Sequence, residues 1–185
     1  MSRRPPATDT ILRHWREAVP DDRLAHLVKD ATRALVRALQ VRLAAHKVSF
    51  GHWTFLRILW EGDGLTQRAL SEEAGVMEPT TFSAVNAMER LGYVRRKRGA
   101  NARNVHVFLT PKGRRLKREL VPLAEEVNAI AVRRVRKADI AATRAVLLTV
   151  IENLARDEAG APRRMPSTRA LAGINARRRR SRKPA

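Results

Sequence analysis

The stretch that decides the fold is Leu65–Lys112, LTQRALSEEAGVMEPTTFSAVNAMERLGYVRRKRGANARNVHVFLTPK. Leu65-Thr66 opens a short helix, with Thr66 of the residue type that caps helix N-termini. Leu70 and Ala74 lie at i and i+4 on one apolar face, and Gly75 suits the left-handed conformation that ends such a helix. A second amphipathic helix runs roughly from Glu78 to Leu91, with Pro79 in its first turn and Gly92 closing it. Tyr93-Val94 then enters a strand, Arg95 to Asn104 forms a cationic turn, and Val105, Val107 and Leu109 return with period two. Thr110-Pro111 starts the next helix. Two short helices about a tight turn, followed by a basic β-hairpin, are the ordered parts of a winged helix-turn-helix.

Helical phase separates the two faces of the second helix. Advancing about 100° per residue from Pro79 puts Thr81, Ala84, Val85, Met88 and Leu91 on the core side. Pro79, Phe82, Ser83, Asn86 and Arg90 fall on the opposite side, and Thr80 lies with Pro79 at the helix start. In a helix-turn-helix that outer face enters the major groove, its N-terminal residues nearest the base edges. Ser83 can donate to or accept from several bases, and Asn86 has the paired donor and acceptor that adenine requires. Phe82 has two open readings: apolar contact with a thymine methyl, or rotation into the core with Thr81 turned outward. Thr66, Gln67 and Arg68, at the start of the preceding helix, are placed for phosphates. Arg95, Arg96, Lys97, Arg98 and Arg103 surround a turn that Gly99 supports.

Composition agrees with a polyanionic partner. The chain has 185 residues, 44% of them hydrophobic, with 38 Lys/Arg against 18 Asp/Glu and a formal net charge of +20. Double-stranded DNA is the first candidate for such a balance. The absence of cysteine excludes disulfides, thiolate zinc sites and cysteine redox sensing. The five histidines show no metal-ligand spacing, so no metal or other cofactor is expected. Neither a Gly-x-Gly-x-x-Gly, a Gly-x-x-x-x-Gly-Lys nor a Gly-x-Ser-x-Gly is present, and an enzyme is not expected. No apolar run reaches the roughly 18 residues of a membrane span, and Met1 to Pro6 lacks the apolar core of a signal peptide. A cytoplasmic location and no membrane partner follow.

The flanks predict a helical layer. Thr10 to Ala18, with Ile11, Leu12 and Trp15 at helical spacing, reads as a short helix within an N-terminal arm covering residues 1–20. From Pro20-Asp21-Asp22, an apolar stripe of Leu24, Leu27, Val28, Ala31, Leu35, Leu39 and Leu43 continues to about His46. Ser49 caps a further helix rich in large apolar residues. Another long helix is expected from Pro111 to about Lys137, bent at Pro122. Asp139 then caps a last helix with Ile140, Val146, Leu147, Val150, Ile151 and Leu154 on one face. These stripes exceed what one small lobe can cover, which points to a homodimer; a monomeric bundle of the terminal helices is the alternative. Residues 159–185 form a basic tail, with nine Lys/Arg and no acid from Ala161 onward. It reads either as a DNA tether or as a solvated tail, disordered in both cases.

Leu65-Thr66-Gln67, Leu70, Gly75-Val76, Leu91-Gly92-Tyr93-Val94, Asn101-Ala102-Arg103 and Leu109-Thr110-Pro111-Lys112-Gly113 together resemble the MarR family of bacterial transcriptional regulators, over about Leu24 to Arg156. The resemblance implies a mainly α fold. A winged helix-turn-helix lobe (about 49–110) with a small β-hairpin wing joins a dimerisation layer of N- and C-terminal helices (about 21–47 and 111–157), giving a domain of residues 21–158. It further implies a homodimeric repressor on an inverted-repeat operator in the bacterial nucleoid, with Arg103 in the minor groove. Asn101 stands where the family pattern carries an aspartate, so the wing arginine lacks that carboxylate partner. A small anionic aromatic effector is also implied, at positions matched here by Arg42, His46, His52, Trp53 and Trp60; the same side chains also serve as core packing. Against this regulator stands an architectural DNA-coating protein with little sequence preference, which the net charge alone would suit.

Overall fold

The computed structural model describes residues 7–17, 24–98 and 105–160. The elements in order are α1 (Ala7–Glu17), α2 (Leu24–Ala44), α3 (Phe50–Glu61), β1 (Leu65–Thr66), α4 (Gln67–Ala74), α5 (Glu78–Arg90), β2 (Val94–Arg98), β3 (Val105–Leu109), α6 (Pro111–Ala131) and α7 (Lys137–Gly160). The fold is mainly helical, with a three-stranded antiparallel wing sheet. The chain divides into two compact units, met at Arg133 and Arg134.

In the first unit, three helices, α2, α4 and α5, end by one device. The N–H groups of Val48, Val76 and Tyr93 reach back to the carbonyls of Leu43, Ser71 and Met88, and the preceding residues Lys47, Gly75 and Gly92 adopt φ of 58°, 63° and 72°. This is the Schellman closure, in which the left-handed residue lets two orphan carbonyls be satisfied. Gly75 and Gly92 take that conformation without a Cβ penalty. Each motif turns the chain sharply, so α3, α4 and α5 pack around one core. Leu43, Leu56, Leu59, Leu70, Val85, Met88, Val94, Val107 and Leu120 are essentially inaccessible there.

The sheet corrects the expected two-stranded hairpin. Strand order is β1-β3-β2, with Leu65 opposite Val107 and Val94 opposite Leu109. Leu65-Thr66 therefore forms a strand rather than the opening of a helix, although Thr66 still caps α4 through a 3.1 Å bond from the Ala69 N–H to Oγ1. Asp63 secures this junction by accepting the Leu109 N–H at 2.7 Å and the Arg114 guanidinium at 2.6 Å.

Three other boundaries are as expected or moved. Ser49 caps α3 by accepting from the His52 N–H at 3.1 Å. The helix from Pro111 runs through Pro122 but stops at Ala131, short of Lys137, and Arg134 follows at a φ of 66°. Asp139 lies inside the first turn of α7 and pairs with Arg136, rather than standing before the helix as its cap. Helix α1 docks on α2, where the Trp15 Nε1 donates to Asp30 at 3.1 Å. In the second unit, α7 has no buried residue, and Val146, Ile151 and Leu154 are exposed.

Candidate nucleic-acid interface

The helix-turn-helix is α4, the Gly75 turn and α5. Its inner surface is set by a polar pair within the core. Thr81, fully buried, lies 2.8 Å oxygen to oxygen from the buried Ser71 hydroxyl, which donates to the Gln67 carbonyl at 2.8 Å. A buried hydroxyl is costly unless bonded, and this pair satisfies both while joining the two helices. Thr81, Val85 and Met88 follow one another at i, i+4 and i+7, so their burial fixes the rotation of α5. Phe82 is consequently outside, 54% exposed. The two readings of Phe82 resolve in favour of the surface.

The outer face presents what the phase arithmetic predicted. Pro79, Thr80, Phe82, Ser83 and Arg90 are exposed and Asn86 is half-buried. Met77 precedes α5 without capping it by a side chain, and Glu78 places an acid in the first turn, at the positive end of the helix dipole. At α4, the Thr66 hydroxyl is occupied as the cap, the Gln67 side-chain nitrogen is buried without a partner, and exposed Arg68 pairs with Glu72 at 3.0 Å.

The wing cations are not equivalent. Arg95, Lys97 and Arg98 are exposed on β2, with the Lys97 ammonium 5.7 Å from the Phe108 ring centroid. Arg96 is instead half-buried against Glu89 of α5. The Arg96 side-chain bond, then its backbone N–H, holds the Glu89 carboxyl below the usual carboxylate range. Arg103, with Gly99 and Asn101, lies outside the described residues.

The five candidate effector residues do not converge on one cavity. Arg42 donates to Glu126 at 3.2 and 3.0 Å and to the Ala38 carbonyl, tying α2 to α6. Trp53 and Trp60 meet edge to face at 5.6 Å, and the Trp60 Nε1 donates to the Gly113 carbonyl at 3.0 Å. Burial pushes the His52 imidazole pKa down, and its Nδ1 has no partner. His46, 3.2 Å from Glu119, does line a cleft of about 420 Å³ together with Lys47, Tyr93, Lys112 and Arg115. Sequence reasoning missed these other cations. Lys112 follows Tyr93 by nineteen positions, and only closure of the wing hairpin places its ammonium 5.0 Å from the Tyr93 ring.

A capped helix-turn-helix joined to a three-stranded wing defines a winged-helix protein. Among known proteins, the MarR family model matches residues 46–103. The HTH-type transcriptional regulator TtmR of Methylorubrum extorquens (strain PA1) is 32% identical over 111 residues, 60% of this chain and 57% of that protein. The matched segment thus spans less than two thirds of this relative. Two solved structures show the same fold: a MarR transcriptional regulator from Methanosarcina mazei Go1 (TM-score 0.67, 24% identity, 72% of this chain and 96% of that one), and a MarR-family regulator from Listeria monocytogenes complexed with a 26mer DNA (TM-score 0.67, 22% identity, 79% and 99%). Over residues 46–103 the chain thus matches the MarR family, and it shares the fold of these MarR regulators. Among the described residues, no helix is long and apolar enough to cross a membrane.

Proposed function

We propose that the chain is a homodimeric repressor that reads an inverted-repeat operator in double-stranded DNA. The observation that carries this is the single outer surface formed by the exposed face of α5 and the exposed cations of β2. Thr80, Phe82, Ser83 and Asn86 meet base edges in the major groove; Pro79 and Arg90 flank them. Arg68 and the backbone N–H groups at the start of α4, that of Gln67 among them, face phosphates, while the Gln67 side-chain nitrogen is buried. Arg95, Lys97, Arg98 and Arg103 follow the backbone beside the adjacent minor groove. The Listeria regulator of the same fold, solved with a 26mer DNA, supports DNA as the partner.

The dimer rests on α2 and α7. Leu24, Leu27 and Leu35 of α2 are 51%, 44% and 38% exposed, and α7 buries nothing. A second copy of the chain is the partner that covers such stripes while presenting paired half-sites. The effector is anionic and occupies the cleft at His46, where Lys47, Lys112 and Arg115 supply positive charge.

Selection from a random pool of duplexes tests the reading. A regulator enriches one inverted repeat and binds it about 10³-fold or more above a scrambled duplex. Enrichment of nothing, with equal affinity for all duplexes, would identify a DNA-coating protein instead.

A further inference from the structure

Arg96 departs from the run of cations in which it stands. Its Nε and Nη2 both donate to one Glu89 oxygen, at 2.9 and 2.6 Å, and its backbone N–H donates to the other at 2.9 Å. The guanidinium carbon lies 6.0 Å from the centroid of the Phe82 ring. Phe82 and Glu89 are seven residues apart, two turns of α5, and so share one stripe of the helix. One side chain from β2 therefore spans two turns of α5, closed by a carboxylate at one end and laid against an exposed phenyl ring at the other.

We propose that Arg96 is a positioning residue rather than a phosphate contact: anchored by Glu89, it locks the wing to α5 and holds the Phe82 ring in place as a specificity-determining contact to a thymine methyl. This deepens the DNA reading and rests on it. Three observations carry it. The Glu89–Arg96 pair has no net charge, so it has little to offer a phosphate; counterion release follows the positive charge brought to the backbone. The carboxylate takes both the side chain and the main chain of one residue, which fixes the strand as well as the guanidinium. The exposed phenyl on the outer face of α5 offers apolar contact, and in the major groove the thymine methyl is the apolar group that can meet it.

The experiment uses the full chain, the duplex it enriches from a random pool, and a scrambled duplex, with affinities taken at several salt concentrations. R96K keeps the charge but loses the planar fork, and E89Q removes the anchor while remaining nearly isosteric. Each is expected to cut the preference for the enriched duplex about tenfold, the scale of one misread base pair, and R96K, which keeps the pair neutral, is expected to leave the salt slope at its wild-type value. R95A, by contrast, lowers the magnitude of the slope by about 0.9, one phosphate contact. F82L, which keeps apolar contact but not the ring, narrows the preference at the same base pair that R96K affects. An E89Q/R96Q double variant, neutral like the pair it replaces, whose slope falls like that of R95A would make Arg96 a phosphate contact and overturn the proposal. So would R96K and E89Q proteins that retain the wild-type preference. A wild-type chain that enriches no sequence refutes the operator reading itself, and this assignment with it; that outcome is seen before any variant is made.

Discussion

Replacing Gly113 with alanine separates helix propensity from packing. Gly113 is the third residue of α6, where alanine would by intrinsic preference stabilise the helix by about 1 kcal/mol. The surroundings oppose it. A Cβ on Gly113 would overlap the Tyr93 carbonyl oxygen, with the Tyr93 carbonyl carbon at 3.0 Å and a Leu109 methyl at 3.1 Å. Tyr93 cannot retreat freely, because its carbonyl accepts both the Thr110 N–H at 3.0 Å and the Thr110 hydroxyl at 3.1 Å. Nor can α6 shift without breaking the 3.0 Å bond from Trp60 to the Gly113 carbonyl. Overpacking costs typically about 1–3 kcal/mol, and an overlap this close with rigid backbone lies at the upper end, so about 2 kcal/mol of net loss remains after the propensity gain of about 1 kcal/mol is subtracted. Urea unfolding followed by circular dichroism, at one protein concentration, reads this as a lower midpoint with unchanged m. Gly92→Ala is the control: its φ is 72° and nothing lies within 4 Å, so only the left-handed penalty of about 1–2 kcal/mol remains. A Gly113→Ala midpoint at or above wild type would refute the reasoning.

Two further predictions concern the core. Ser71→Ala and Thr81→Val should each cost about 1 kcal/mol, while the double variant costs less than their sum, with a coupling of about 0.5–1.5 kcal/mol; strictly additive unfolding energies would mean that the hydroxyl pair does not join α4 to α5. His52 has a folded pKa below its ordinary 6.5 because of burial, so its contribution is complete above that pH and is lost as acid protonates the unfolded chain in preference to the fold. His52→Leu should therefore flatten the fall in unfolding midpoint between about pH 7 and 5; an unchanged pH dependence would show that His52 does not carry it.

Much of the lobe was legible because its signals are periodic or unambiguous. Thr81, Val85 and Met88 repeat with helical spacing, and Gly75 and Gly92 stand where helices must stop. Leu65-Thr66 was not legible as a strand. Two residues carry no alternation, and Thr66 doubles as a helix cap. The end of α6 was hidden because Ile130, Val132 and Val135 prolong an apolar pattern beyond Ala131. Within Arg95 to Arg98, residue type cannot distinguish a free cation from one already paired; Glu89, seven residues before Arg96, gave no local sign of reaching it. Trp53 and Trp60 illustrate the same limit for cavities, since an indole that packs on another indole and one that lines a cleft look alike in sequence.

The strand order leaves β1 and β2 at the rims of the sheet, and rims are where foreign strands attach. β1, at two residues, is too short to template a partner. β2 is five residues long but bristles with Arg95, Lys97 and Arg98, and the Arg96 N–H is already taken by Glu89. Mutual repulsion would meet any second β2 that approached in register. The positive charge of the wing thus also guards the protein's solubility, and a variant neutralised to weaken its hold on polyanions would become prone to self-association through that rim.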